Sequence, residues 1–151
     1  MLRPSKKMLF AIEAVLDIAY HAGGEPVQSR EITRRQGIPR RYLEQTLQQL
    51  VRSGILSGVR GPRGGYRLAR ERRRISVGEI VRVVGALETA EDPYRDIPAS
   101  ELGKQVIRPM WSRQQDEIMA RLDSITIDDL CMTAYRDGIA SEATNKLDFA
   151  I

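Results

Sequence analysis

Residues 60–66 have the sequence RGPRGGY, the clearest local indication of structure in the chain. It lies between two short apolar segments, 55–59 and 66–69. Three glycines and a proline favour a tight reversal, because glycine tolerates positive φ and proline presets φ to about −65°. The stretch therefore predicts a β-hairpin whose tip carries Arg60 and Arg63. A phosphate-binding nucleotide loop is a weaker interpretation, since no Gly-Lys-Ser/Thr follows and no helix begins after the turn.

A helix-turn-helix pattern precedes the hairpin. Ser29 suits the N-cap of a helix over residues 30–36, residues 37–39 form the turn, and a second helix covers about residues 39–53. The apolar positions spaced for the buried side of that second helix are Leu43, Leu47, Leu50 and Val51. The polar positions facing outward are Arg40, Arg41, Glu44, Gln45, Gln48 and Arg52. Arginine pairs with guanine, glutamine with adenine and glutamate with the amino group of cytosine, so this face suits the major groove.

Together these features predict a mainly α fold with a small β-hairpin, a winged helix-turn-helix that binds double-stranded DNA. The charge distribution agrees with this interpretation. Residues 1–74 hold 16 Lys/Arg against 6 Asp/Glu, whereas residues 75–151 hold 8 against 14. A basic front half supplies the salt-dependent part of DNA affinity. The alternatives are a polar surface helix and a hairpin with no partner.

Further helices are predicted on both sides of this region. Apolar spacing indicates a first helix over about residues 7–22, and the stretch 76–79 (Ser-Val-Gly-Glu) fits a capping box for a fourth helix. The arginine-rich run 70–74 is either a solvated loop or an addition to the phosphate contacts.

The second half of the chain predicts a surface for self-association. A helix from about residue 105 or 109 to residue 122 follows an acidic loop, and the stretch 126–129 (Thr-Ile-Asp-Asp) fits the capped start of a last short helix. The apolar stripe on the long helix consists of Ile107, Trp111, Ile118 and Leu122. Such a stripe outside a small winged-helix core needs a partner surface, and we expect the same helix of a second copy, related by two-fold symmetry.

The predicted organisation has four parts. Residues 1–87 form the winged helix-turn-helix domain, 88–104 the acidic loop, 105–136 the dimerisation helix and short terminal helix, and 137–151 a tail with weak periodicity.

Composition excludes several other classes. The only cysteine, Cys131, cannot form an internal disulfide, and no apolar run reaches transmembrane length, so we expect a cytoplasmic protein with no membrane partner. We find no nucleophile–base arrangement, no paired acid and base and no nucleotide loop, so we do not expect an enzyme.

The chain resembles the Rrf2 family of bacterial transcription regulators. The matching stretches are RYLEQ at 41–45, LVRSGIL at 50–56, VRGPRGGYRLAR at 59–70 and ISVGEIV at 75–81. The resemblance covers about residues 1–131 and implies a homodimer with two winged helices, a crossed dimerisation helix and partly palindromic operators. It also implies that Glu44 and Arg60 contribute to sequence discrimination, with Tyr42 and Gln45 beside them. We expect a repressor, although the sequence does not decide between repression and activation.

The chain departs from the iron–sulfur members that it resembles. Those members carry three cysteines before the dimerisation helix, at places that correspond here to Pro93, Ala99 and Gln105, and the place of a fourth ligand corresponds to Arg108. Thiolates are the usual cluster ligands, and arginine is a donor-only cation. We therefore expect no standard iron–sulfur cluster and no metal site.

Three alternatives for regulation stay open. One is iron or iron–sulfur sensing through other ligands, with Asp92, Asp96, Glu101, His21 and Cys131 as candidates. Another is control by a protein partner that docks on the acidic loop and dimer helix. In the third, Cys131 is a redox-sensing thiol rather than a small packed side chain.

Overall fold

The computed structural model describes residues 3–88 and 97–143. It confirms the mainly α fold with a small hairpin. The helices are α1 (Lys6–His21), α2 (Ser29–Gln36), α3 (Arg40–Arg52), α4 (Val77–Glu88), α5 (Arg108–Asp123) and α6 (Ile127–Arg136), and the strands are β1 (Leu56–Val59) and β2 (Gly65–Leu68). A 3₁₀ turn covers Arg72–Arg74, and a π-helical segment covers Gly103–Ile107. Within these two ranges, no helix has the length and apolar character needed to cross a bilayer.

Helix α1 is the centre of the core, with α2, α3, α4 and α6 packed around it. Its fully buried residues are Ala11, Ala14, Val15 and Ile18. Apolar spacing alone favours a face made of Met8, Ile12, Val15, Leu16 and Ala19. Val15 is fully buried, whereas the other four side chains are partly buried, so the buried side of α1 only partly coincides with this face.

The stripe predicted on α3 is confirmed for its leucines. Leu43, Leu47 and Leu50 are buried, whereas Val51 is partly buried. The α2 boundary differs from the prediction, since Gln28 rather than Ser29 is the N-cap residue. The Gln28 amide donates to the Glu31 carboxylate at 2.8 Å, which satisfies a backbone donor at the start of the helix.

The capping box of α4 is confirmed. The Glu79 amide donates to the Ser76 hydroxyl at 3.2 Å, and the Ser76 amide donates to the Glu79 carboxylate at 3.0 Å. Helix α4 meets the end of α5 at Gly78, where a Cβ would overlap the Asp123 carboxylate. Arg82 pairs with the same carboxylate at 2.6 and 2.7 Å. The Val77 amide also donates to the Ile125 carbonyl at 2.8 Å, so side-chain and main-chain contacts both hold this junction.

The acidic loop predicted over residues 88–104 ends earlier than expected. Helical backbone begins at Glu101 and continues through the π-helical segment into α5. Pro109 lies in the first turn of α5. Proline has no N–H to donate. In the π-helical turn before it, the Arg108 amide donates to the carbonyl five residues earlier, that of Gly103. Asp92 and Pro93, which fall in the predicted loop, lie outside the described residues.

Residues 137–143 follow α6 and form hydrogen bonds with α1 and α2. This segment returns to the end of α1, where the Ser141 hydroxyl donates to the Tyr20 carbonyl at 2.6 Å. The Glu142 amide donates to His21 Nδ1 at 3.1 Å. The Glu142 carboxylate accepts from Arg34 at 2.9 Å and Arg35 at 2.7 Å.

These contacts join a buried carboxylate that the sequence analysis missed. Asp17 is 2% exposed in the middle of α1. Arg35 holds it with two hydrogen bonds of 2.7 and 2.9 Å, and the side-chain amide of Gln36 donates to it at 2.7 Å. Arg35 therefore bridges Asp17 and Glu142 and ties α1, α2 and the C-terminal segment together.

We predict that the Glu142 contacts stabilise the fold only above acidic pH. Partial burial opposes ionisation of Glu142, but Arg34 and Arg35 outweigh it and lower the pKa of its carboxyl. A lowered pKa in the folded state gives stability that is present above the ordinary glutamate pKa and is lost as the pH falls through the folded value. At neutral pH, Glu142→Gln should lower the melting temperature by a few degrees, roughly the effect of up to about 1 kcal/mol in a domain of this size.

Melting temperatures of the parent and of Glu142→Gln should converge as the pH falls below the ordinary glutamate pKa and through the lowered pKa of the folded state. Glu13→Gln is the control, because Glu13 is exposed on α1 and takes part in none of the ion pairs among the described residues. A difference between parent and Glu142→Gln that is constant with pH would contradict the ionic origin of the contact.

Candidate nucleic-acid interface

The wing is a two-stranded antiparallel hairpin whose register is set by its glycines. Leu56 pairs with Leu68, and Val59 pairs with Gly65. At the tip, the Gly64 amide donates to the Gly61 carbonyl at 2.9 Å, and Gly61 has φ 111°. Positive φ of this size is accessible to glycine and costly for other residues. Arg60 and Arg63 are both exposed at this tip.

The wing is fixed to the start of α2 by backbone hydrogen bonds. The Val27 amide donates to the Tyr66 carbonyl at 2.9 Å, and the Tyr66 amide donates to the Val27 carbonyl at 2.8 Å. A Cβ on Gly65 would overlap the Val27 carbonyl, so glycine permits this close approach. Main-chain contacts therefore position the wing against the start of α2, and the Gln28 side-chain amide adds to them by donating to the Pro62 carbonyl at 3.4 Å.

The outward face of α3 carries one ion pair. Arg40 Nε lies 2.9 Å from Glu44 Oε1, and both side chains are more than half exposed. The pair is worth little for stability at such exposure.

The structure divides the predicted contact residues among three places. Arg40 and Arg60 line one groove of about 900 Å³ between α3, the start of α2 and the wing. Arg63 lines the outer side of the wing with Glu25 and Arg67. Tyr42, Gln45 and Gln48 line a second groove on the other edge of α3. Arg41 and Glu44 are exposed on α3.

The arginine-rich run 70–74 is largely occupied by contacts within the chain. Arg70 lies 2.8 Å from the Glu79 carboxylate and also donates to the Arg74 carbonyl. Arg72 lies 2.7 Å from Asp128 in the first turn of α6. Arg70 and Arg72 therefore have ion-pair partners within the chain, a role that neither interpretation of this run included. The partner of Arg72 lies far from it in sequence.

Cys131 is buried in the core beside α1. Burial raises the pKa of its thiol, and the nearby Arg72 only partly offsets this effect. A protonated, buried thiol has the properties of a packed apolar side chain rather than of a reactive nucleophile.

This architecture, a helix-turn-helix followed by a main-chain-anchored wing, defines the class of winged-helix transcription regulators. The Rrf2 family model, described as "Iron-dependent Transcriptional regulator", matches residues 4–133. The chain belongs to the Rrf2 family. Its relatives regulate transcription by binding DNA, and transcription regulators of this kind are not enzymes.

Similar proteins agree with this placement. The transcriptional regulator IscR of Photobacterium profundum is 31% identical over 147 residues, covering 97% of this chain and 83% of that protein. The structure of IscR from T. potens has a TM-score of 0.73 and 35% identity, covering 93% of each chain. CymR, the global cysteine regulator of B. subtilis, has a TM-score of 0.69 and 29% identity, covering 88% of this chain and 98% of that one.

The residues present do not fit a standard three-cysteine cluster. Ala99, Gln105 and Arg108 offer no thiolate, and Cys131, the only cysteine, is part of the core instead. Over residues 3–88 and 97–143, no group of three or more His, Cys, Asp or Glu side chains is arranged to hold a metal ion. His21 Nδ1 accepts from the Glu142 amide, and Glu101 accepts from Gln105. Asp92 and Asp96, the remaining candidate ligands, lie outside these ranges.

We predict that Gly64→Ala disrupts the wing while Gly58→Ala preserves it. A Cβ on Gly64 would overlap the Val59 carbonyl, whereas a Cβ on Gly58 meets nothing within 4 Å. Amide hydrogen exchange provides the measurement. Protection of the Val27 and Tyr66 amides should fall in Gly64→Ala and persist in Gly58→Ala. Equal protection in both variants would show that the tip does not control the pairing of the wing with residue 27.

Proposed function

We propose that the chain is a sequence-specific DNA-binding regulator that acts as a homodimeric repressor on a palindromic operator. The observation that carries this proposal is the groove shared by Arg40 of α3 and Arg60 of the wing. A recognition helix and a basic wing on one concave surface can contact a major groove and its flanking backbone together.

The residues along α3 and at the tip of the wing have distinct proposed roles. Arg40, Arg41, Tyr42, Gln45 and Gln48 contact bases and backbone along α3, and Glu44 accepts from the amino group of cytosine. In the structure, the Glu44 carboxylate lies 2.9 Å from Arg40 Nε. Arg60 and Arg63 contact the flanking groove and its phosphates, and their position relative to α3 depends on the Val27–Tyr66 pairing.

The proposed dimer rests on an uncovered apolar helix. Helix α5 has no buried residue, and the exposed fractions along this helix and the segment before it are 73% for Leu102, 54% for Val106, 55% for Ile107 and 48% for Ile118. Trp111 is also exposed, and Leu122 is half-buried near the junction with α4. Patches of this kind on soluble proteins mark interaction surfaces. A two-fold axis through this helix would pair the same stripe with itself and place two wings on one palindromic site.

We further propose that regulation does not use a standard iron–sulfur cluster. The donor set described above supports this, because a three-cysteine site cannot be built from the residues present. The burial of Cys131 supports a packing role over thiol oxidation.

We predict that two variants of the interface separate base recognition from phosphate binding. Glu44→Ala should relax preference at one base position, with a loss of about 1–3 kcal/mol of discrimination. Arg63→Ala should weaken binding to all sequences and reduce the slope of log K against log salt by about 0.9 for each phosphate that the variant no longer neutralises. Selection from random duplexes, followed by titration at several salt concentrations, measures both effects. Parental behaviour of both variants would overturn these contact assignments.

We predict that Ile118→Glu converts the dimer to a monomer. The exposed stripe would then carry a charge at the centre of the proposed contact, and the mass by light scattering should fall to that of one chain, 17.1 kDa. Ala120→Glu is the matched control, because a residue two positions away faces a different side of the helix. A parent that is already monomeric at micromolar concentration would overturn the proposed dimer.

A further inference from the structure

The recognition helix has a second edge that faces away from the wing. A groove of about 390 Å³ runs along this edge, between α3 and side chains of α1 and α4. Lys7 comes from α1, Val84 comes from α4, and Tyr42, Gln45 and Arg52 come from α3. We call this feature the α1–α3 groove.

The lining of the α1–α3 groove is suited to an anion. Lys7 and Arg52 are cations on two different helices, and neither takes part in the ion pairs found among residues 3–88 and 97–143. Amide side chains and the Tyr42 hydroxyl provide neutral donors between them, and the described lining contains no carboxylate. Lysine and arginine donate without accepting, which matches the acceptor-only oxygens of a phosphodiester.

The dimensions of duplex DNA explain why a DNA backbone would lie next to the α1–α3 groove of the protein. The major groove is about 12 Å wide, and an α-helix with its side chains is about 10–12 Å across. A helix that enters the groove therefore lies close to both backbones that bound it. The wing lies on one side of α3, and the α1–α3 groove lies on the other.

We propose that the α1–α3 groove seats the phosphodiester backbone on the side of the major groove away from the wing, with Lys7 and Arg52 as its phosphate contacts. This inference rests on the proposed DNA-binding function. It adds α1 to the interface and assigns Arg52 a contact with phosphate rather than with a base.

The test uses Lys7→Gln, Arg52→Gln and the double variant in the full chain. Fluorescence anisotropy measures binding to a selected duplex and to an unrelated duplex of equal length, from about 50 mM to about 200 mM salt. Each single variant should weaken binding to both duplexes by the same factor and flatten the salt slope by about 0.9. The preferred sequence should not change. Arg52→Lys, which keeps the charge, should retain most of the slope.

Arg136→Gln is the matched control, since Arg136 is an exposed cation on α6 and is not among the residues that line the groove. Variants that bind with the parental affinity and slope would overturn the groove assignment while leaving the proposed function intact. A change in the preferred sequence would also overturn it, because the contact would then be to bases. A parent that binds no selected duplex would instead refute the proposed function.

Discussion

The arrangement of the winged helix-turn-helix domain depends on the need to pair one buried carboxylate. Asp17 lies in the central helix α1, where an unpaired charge is strongly destabilising, and its partners Arg35 and Gln36 both come from the end of α2. Pairing therefore fixes the end of α2 against α1. The turn to α3 begins immediately afterwards, so the same contact determines where the recognition helix starts. Glu142 then binds the outer side of Arg35, which makes the C-terminal segment part of the same network.

Features encoded by neighbouring residues could be predicted from the sequence. The hairpin follows from glycines and a proline within a few positions of one another, and the capping boxes at Ser76 and Thr126 follow from an acidic residue three positions later. The leucine stripe of α3 follows from helical spacing. In each case, the physical cause and its effect lie within one or two turns of chain, so a single sequence contains the whole signal.

Features that depend on distant partners could not be predicted in the same way. Asp17 interrupts an apolar pattern, and nothing near it indicates that Arg35 will cover it. The pairing of Arg72 with Asp128 and the return of residues 137–143 to α1 also join segments far apart in sequence. The same limit applied to the candidate nucleic-acid interface. Outward spacing on α3 predicted which side chains are exposed, but it did not show that α3 has two different edges, one facing the wing and one facing Lys7.

The unequal charge of the two halves is linked to how they pack against each other in the structure. Acidic residues of the second half pair with arginines of the first, as Glu142 does with Arg34 and Arg35, and Asp128 does with Arg72. These pairs neutralise cations away from α3 and the wing tip. The basic side chains left outside such pairs include those of the proposed DNA-facing surfaces. Internal pairing thus leaves Arg60, Arg63 and Lys7 outside the ion pairs among the described residues, which a count of charges along the chain cannot reveal.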